Sequence, residues 1–146
     1  MCVIIDTNVA SNVFRQPCCP QYAPLWNWIQ NEEGRIVFGG PLARELAEIG
    51  QTRRRLLELL RAGKARRVRD ELITAEEARV RACGQGRSND AHVIALARVS
   101  CARILCSADR NLHMDFRNQH LINHPRGVIY QNQSHGHLLR HHNGCR

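Results

Sequence analysis

Three aspartates stand where a short apolar run ends or a helix begins, and that placement is where chemistry can start. Asp6 closes the run Cys2-Val3-Ile4-Ile5. Asp90 opens the alanine-rich stretch AHVIALARVS, and Asp109 follows Ile104-Leu105-Cys106 through Ser107-Ala108. A carboxylate at the end of a buried apolar strand is costly unless it is paired or metal-bound. Taken singly, Asp90 after Ser88 reads as helix-terminus chemistry, and Asp109 in SADRN as a turn residue. Taken together, they favour a cation site. Clustered carboxylates repel one another and raise one another's pKa values. Oxygen ligands suit Mg²⁺ or Mn²⁺ rather than zinc. A cation held there binds phosphate oxygens and lowers the pKa of a bound water, making a nucleophile for in-line attack on phosphorus.

The elements that must position these groups are legible as alternating apolar runs and helical stripes. CVII (2–5), RIVF (35–38), ILC (104–106) and GVIY (127–130) read as strands, while 66–69 fits a strand or a loop equally well. A short helical stretch follows Asp6-Thr7-Asn8, and a Pro-punctuated loop covers 15–24. Helices are expected around Trp26 and Trp28, from Pro41 to Ile49 and over about 52–62. Two more follow: 75–83 behind a Thr74 cap with Glu77 three positions on, and a buried helix over 89–100 capped by Ser88. Strands alternating with helices imply an α/β fold, a three-layer α/β/α sandwich with a mostly parallel sheet. In such a sheet, ligands bind beyond the carboxyl ends of the strands, the edge from which Asp6 and Asp109 project. In the 41–49 helix, Glu45 lies roughly 60° from the centre of the Leu42/Leu46/Ile49 stripe and Glu48 roughly 120° away, so Glu45 is the better inward candidate.

Composition narrows the class. The 146 residues suit one domain over 1–130, followed by a polar, His-rich end over 131–146 that is expected to be flexible. No apolar run approaches the roughly 20 residues that span a membrane, and MCVIIDTNV lacks the basic region of a signal peptide, so a soluble cytosolic protein is expected. The seven cysteines are odd in number and irregular in spacing, which favours reduced structural thiols over bridges or a metal knuckle. The net charge of +8 is concentrated: residues 51–69 carry seven Arg and one Lys against one Glu, a balance of +7 that leaves +1 for the rest. Such a segment is the footprint of a phosphate-binding surface, with Arg53, Arg54 and Arg55 the candidate RNA contacts.

At this point the chain resembles the PIN-domain ribonucleases, including their bacterial toxin-type members. The resemblance lies in VIIDTN (3–8), in Glu45 within PLARELAEIG, in Asp90 within SNDAHVIALA and in Ser107-Ala108-Asp109, over about residues 1–130. It implies Mg²⁺- or Mn²⁺-dependent cleavage of single-stranded RNA, with Asp6, Glu45, Asp90 and Asp109 as catalytic metal ligands. Asn8 and Ser107 would orient a carboxylate or a metal-bound water, and Asp115, in LHMDF, is a further nearby carboxylate. It also implies a toxin restrained by an antitoxin protein, and a homodimer. The Arg-rich segment is not part of the family's motif.

Other readings fit less well. A phosphatase with an Asp nucleophile after its first strand needs a second carboxylate two residues on, where this chain has Asn8. A P-loop is absent. His135, His137, His141, His142 and Cys145 could bind a soft metal, but a mobile polar end is the simpler reading. The alternative from another class is a PIN-like module that binds RNA or a protein without cutting, although mutual repulsion of four acidic positions would gain a pure binder nothing.

Overall fold

The computed structural model describes residues 1–140. Five strands form one all-parallel sheet in the order β3-β2-β1-β4-β5, built from β1 (Cys2–Ile5), β2 (Arg35–Gly39), β3 (Ala65–Val68), β4 (Ile104–Cys106) and β5 (Val128–Ile129). Seven α-helices connect and cover them: α1 (Thr7–Phe14), α2 (Ala23–Asn31), α3 (Gly40–Ala47), α4 (Gly50–Arg61), α5 (Asp70–Ala82), α6 (Ala91–Ser100) and α7 (Arg110–Arg117). The expected α/β/α architecture is what the chain adopts. β1, β2 and β4 are buried almost throughout because helices cover both faces of a parallel sheet, which is why they read as apolar runs and not as alternation. The 66–69 stretch, undecided from sequence, falls mostly in the edge strand β3, one residue earlier in the chain, where Ala65 and Val68 are buried and Arg66 and Arg67 exposed. No helix among the described residues is long and apolar enough to cross a membrane.

Several local expectations are corrected. α5 starts at Asp70 rather than after Thr74, so Thr74 is interior and Asp70 and Glu71 occupy the first turn. Carboxylates there complement the unpaired N–H groups of the helix. Asp70 also accepts a hydrogen bond from the Gly40 backbone N–H at 3.0 Å, tying the start of α5 to the start of α3. That junction explains its glycines. Gly40 has φ +57°, and a Cβ on Gly39 would stand 2.6 Å from the Val68 carbonyl oxygen. The helix α7 was not expected. Its buried face is Leu112, His113, Asp115 and Phe116, a mixture of polar and apolar side chains that hides the stripe. Among the cysteines, Cys18, Cys19, Cys83, Cys101 and Cys106 are free, as expected, but Cys2 is disulfide-bonded.

The polar end is also structured, as far as Arg140. Residues Gln133–Arg140 form a 3-10 helix with Leu139 4% exposed, and the segment is fastened to the body by Gln133, whose amide donates to the Pro20 carbonyl at 2.9 Å. His135 packs edge-on against the buried Tyr130 ring, whose hydroxyl donates to the Gln21 carbonyl. His135 and His137 therefore serve backbone and ring contacts, and His141, His142 and Cys145 lie outside the described residues. Leu139→Ala is expected to lower stability by about 2–3 kcal/mol in urea unfolding. A mobile end would leave the midpoint unchanged.

Candidate active site

β1 and β4 are neighbours, and their connections leave in opposite directions, which makes their carboxyl ends the switch point at which open parallel sheets bind ligands. The chain fills that position with a hydrogen-bonded knot. The Asp6 N–H donates to the Cys106 carbonyl at 2.9 Å, carrying the ladder one residue past the strands. The Asp6 side chain is 5% exposed, and both its oxygens are engaged: Oδ1 accepts from the Thr7 N–H at 2.8 Å, and Oδ2 from the Ser107 hydroxyl at 2.8 Å. Asn8 reaches across the same gap. Its amide donates to Ser107 Oγ at 3.4 Å, and its carbonyl oxygen accepts from the Ala108 N–H at 3.1 Å. Ser107 is held from behind by His113 of α7, whose Nε2–H donates to the Ser107 carbonyl.

Asp109 sits one turn further on, at the N-terminus of α7. Its Oδ1 accepts from the Asn111 and Leu112 N–H groups at 2.9 and 3.2 Å, and its own N–H donates to Ser107 Oγ at 3.1 Å. The turn-residue reading of Asp109 thus describes one oxygen of the carboxylate. Glu45, on α3, is exposed and accepts a 3.4 Å hydrogen bond from the Thr7 hydroxyl, which places it beside Asp6. Glu48 caps the far end of the same helix and has no such link.

Asp90 precedes α6 without making a side-chain cap bond. The Ser88 hydroxyl accepts from the Asp90 N–H at 3.3 Å, as a cap would, but it donates to Asp115 at 2.8 Å. Asp115 is 2% exposed and also accepts from the backbone N–H groups of Arg87 and Ser88. Its carboxylate is therefore a clamp on the loop that delivers Asp90, not a member of the open cluster. Ile94 and Ala97 are buried on α6, in keeping with the expected buried helix, and Cys101 lies past the helix end, exposed and left-handed at φ 62°.

Charge is crowded at this edge. The Asp90 carboxyl is pushed above its ordinary range, first by burial and then by the charge of Asp6; Asp109 and Glu45 add to the effect, and His92 opposes it. Four carboxylates on four elements thus share one field. Oxygen donors of this kind fit a hard divalent cation, and Asp6, Glu45, Asp90 and Asp109 are the residues that would hold it. As placed, no three His, Cys, Asp or Glu side chains among the described residues converge tightly enough to enclose one. Fields act over longer distances than ligand bonds, so the repulsion on Asp90 and the missing convergence are compatible.

The arginine candidates separate. Arg53 and Arg54 are exposed. Arg55 is not available to a phosphate in the same way: its guanidinium lies 5.6 Å from the Trp26 ring centre, hydrogen-bonds Gln16, and stands 3.9 Å from Glu58. Two contributors escaped the sequence reading. Thr7 bridges Asp6 and Glu45, and His92 lies buried beside Asp90. The His92 signal was its place two residues after an aspartate, at the start of the apolar run Val93–Ala97.

No protein-family model, curated protein or solved structure matches the chain.

Because the folded pKa of Asp90 is raised, its ionised form opposes folding at neutral pH, and the penalty disappears as pH falls through the ordinary carboxylate range near about 4. In EDTA at pH 7, Asp90→Asn is expected to raise Tm by roughly 2–4 °C, and acidification should erase the difference from wild type. A variant that melts no higher than wild type at pH 7 would mean that Asp90 is not in the repulsive field.

Proposed function

We propose that the protein is a divalent-metal-dependent ribonuclease acting on single-stranded RNA, with Asp6, Glu45, Asp90 and Asp109 as the acidic site. The observation that supports it most is the knot at the β1/β4 switch point. It spends Ser107, Asn8, Thr7 and the start of α7 on fixing two carboxylates at the edge where parallel sheets bind ligands. Capping a helix accounts for one oxygen of each aspartate, but a cap gains nothing from having two further carboxylates, Glu45 and Asp90, crowded against it. When bound, a Mg²⁺ or Mn²⁺ ion would offset the repulsion and supply a water acidic enough to attack phosphorus.

The chain's own residues then divide the work. Ser107 and Thr7 hold Asp6, leaving it no freedom to turn away. The Asn111 and Leu112 N–H groups hold one Asp109 oxygen, which leaves the other for the site. Asp115 sets the loop that presents Asp90. The exposed Arg53 and Arg54 offer charge for the RNA backbone, a contribution that would carry no sequence preference. A module that binds RNA without cutting is the second reading, favoured by the carboxylates' lack of convergence on one point.

A mixed single-stranded RNA pool, incubated with Mn²⁺, with Mg²⁺ or with EDTA, tests the two readings against each other. Wild type is expected to cut in metal and not in EDTA, and Asp6→Asn to lower the rate by two to three orders of magnitude, the scale of losing one electrostatic stabiliser. RNA bound but uncut by wild type in either metal would leave the binding module. Cutting that survives Asp6→Asn would place the chemistry elsewhere.

A further inference from the structure

Of the seven Phe, Tyr and Trp rings, all within the described residues, six are buried in the core and one is not. The exception is Trp26 on α2, half-buried and lining a cavity of about 370 Å³ between α2 and α4. Its indole is held in place: Phe14 meets it edge-on at 5.9 Å between ring centres, and the Arg55 guanidinium lies over it at 5.6 Å. Arg55 is fixed in turn by Gln16 and Glu58, and only 16% of its side chain is exposed. Lys64, the chain's one lysine, lines the same cavity, its ammonium donating to the Glu32 carbonyl at 2.8 Å. A stack that merely joined α2 to α4 would close over the ring, as the core does over the other six. Here the cavity stays open beside it.

We propose that this cavity takes an unpaired nucleobase of a single-stranded RNA, stacked against Trp26 and Arg55, with Lys64 offering charge to a neighbouring phosphate. The inference rests on the RNA reading given above and adds an anchor for the same strand. Nucleobases stack on indole and guanidinium planes alike, and every nucleobase can do so because each has a π face. The bases of a duplex are paired and stacked on one another, which leaves none to enter. Glu58 is the one carboxylate on the lining, and it stands 3.9 Å from Arg55, so the two cations outweigh it. α2 and α4 lead into β2 and β3, which puts the cavity toward the edge where those strands start, opposite to Asp6. Exposed Arg54 and Arg61, seven residues and about 10 Å apart along α4, mark a path between the two. A strand anchored in the cavity would reach the acidic edge several nucleotides away, and its cut would fall at a set distance from the anchored base.

The test is binding of a fluorescein-labelled single-stranded octaribonucleotide of mixed sequence to the full chain, read by anisotropy across a salt series in EDTA, where metal-dependent cutting is blocked. Trp26→Ala is expected to weaken binding about tenfold at every salt concentration. The slope of log Kd against log salt should not change, because stacking releases no counterions. Trp26→Phe should stay within about threefold of wild type, and a blunt RNA duplex should bind wild type and Trp26→Ala alike. Arg54→Ala, by contrast, should flatten the slope by about one. Should Trp26→Ala fail to fold, wild type cross-linked to a 5-iodouridine-substituted oligonucleotide decides instead, with the adduct expected on Trp26. Equal binding of single-stranded RNA by folded Trp26→Ala, a loss that also flattens the slope, or cross-linking without an adduct on Trp26 overturns the role of the cavity and leaves the RNA reading standing. Absence of RNA binding overturns both.

Discussion

Repulsion among like charges at one edge of a parallel sheet is the constraint around which this chain is arranged. β1 and β4 run side by side and end together, and each is followed by an aspartate at a helix N-terminus. Water would separate and screen such charges, but at this edge Asp6 is buried. The structure answers with oriented donors: the Thr7 N–H and Ser107 hydroxyl on Asp6, and the Asn111 and Leu112 N–H groups on Asp109. Hydrogen bonds to an ionised carboxylate are the stronger kind. Asp90 has no comparable set of donors on its carboxylate, and burial and the charge of Asp6 push its pKa up. The unresolved charge is thus concentrated on one residue, with the His92 ring 3.7 Å away.

The elements far from this edge serve its geometry. Asp115 on α7 clamps the loop before α6, so the position of Asp90 depends on a helix that comes later in the chain. Asp70 at the start of α5 bonds Gly40 at the start of α3, the helix that carries Glu45. The ion pair of Glu76 with Arg98, and the packing of α5 on α6, hold the two helices that follow β3 as a unit. Polar side chains that look like candidate ligands in a list of acidic residues are, in several cases, the struts that aim the others.

What was legible in the sequence follows from how local each signal is. The runs CVII, RIVF and ILC could be read as strands because burial on both faces leaves a near-continuous apolar signature. Asp6 and Asp109 could be assigned to one edge because parallel strands all end on the same side. α7 escaped because two of its four inward residues, His113 and Asp115, are polar and work through hydrogen bonds. The start of α5 was misplaced because Thr74 and Asp70 are both plausible helix openings, and the choice is settled by Gly40, thirty residues away. Charge counting along 51–69 could not separate Arg55 from Arg53 and Arg54, since the Trp26 ring and Gln16 that occupy it come from other segments. Arg66 and Arg67 lie on the edge strand β3, where exposed charge also discourages pairing with a second sheet, so part of the basic segment has a use without nucleic acid.

If the carboxylates at the β1/β4 edge are crowded to hold a divalent cation, the stability of the folded chain must depend on that ion. Thermal unfolding of wild type and Asp90→Asn, stripped of metal and then titrated with Mn²⁺ at pH 7, tests it most directly. An ion bound only by the folded chain stabilises it by about 2.7 kcal/mol at a hundredfold excess over its Kd. The wild-type Tm is expected to climb with Mn²⁺ and the Asp90→Asn curve to stay nearly flat. A wild-type Tm indifferent to Mn²⁺, or an equal rise in both proteins, would contradict it.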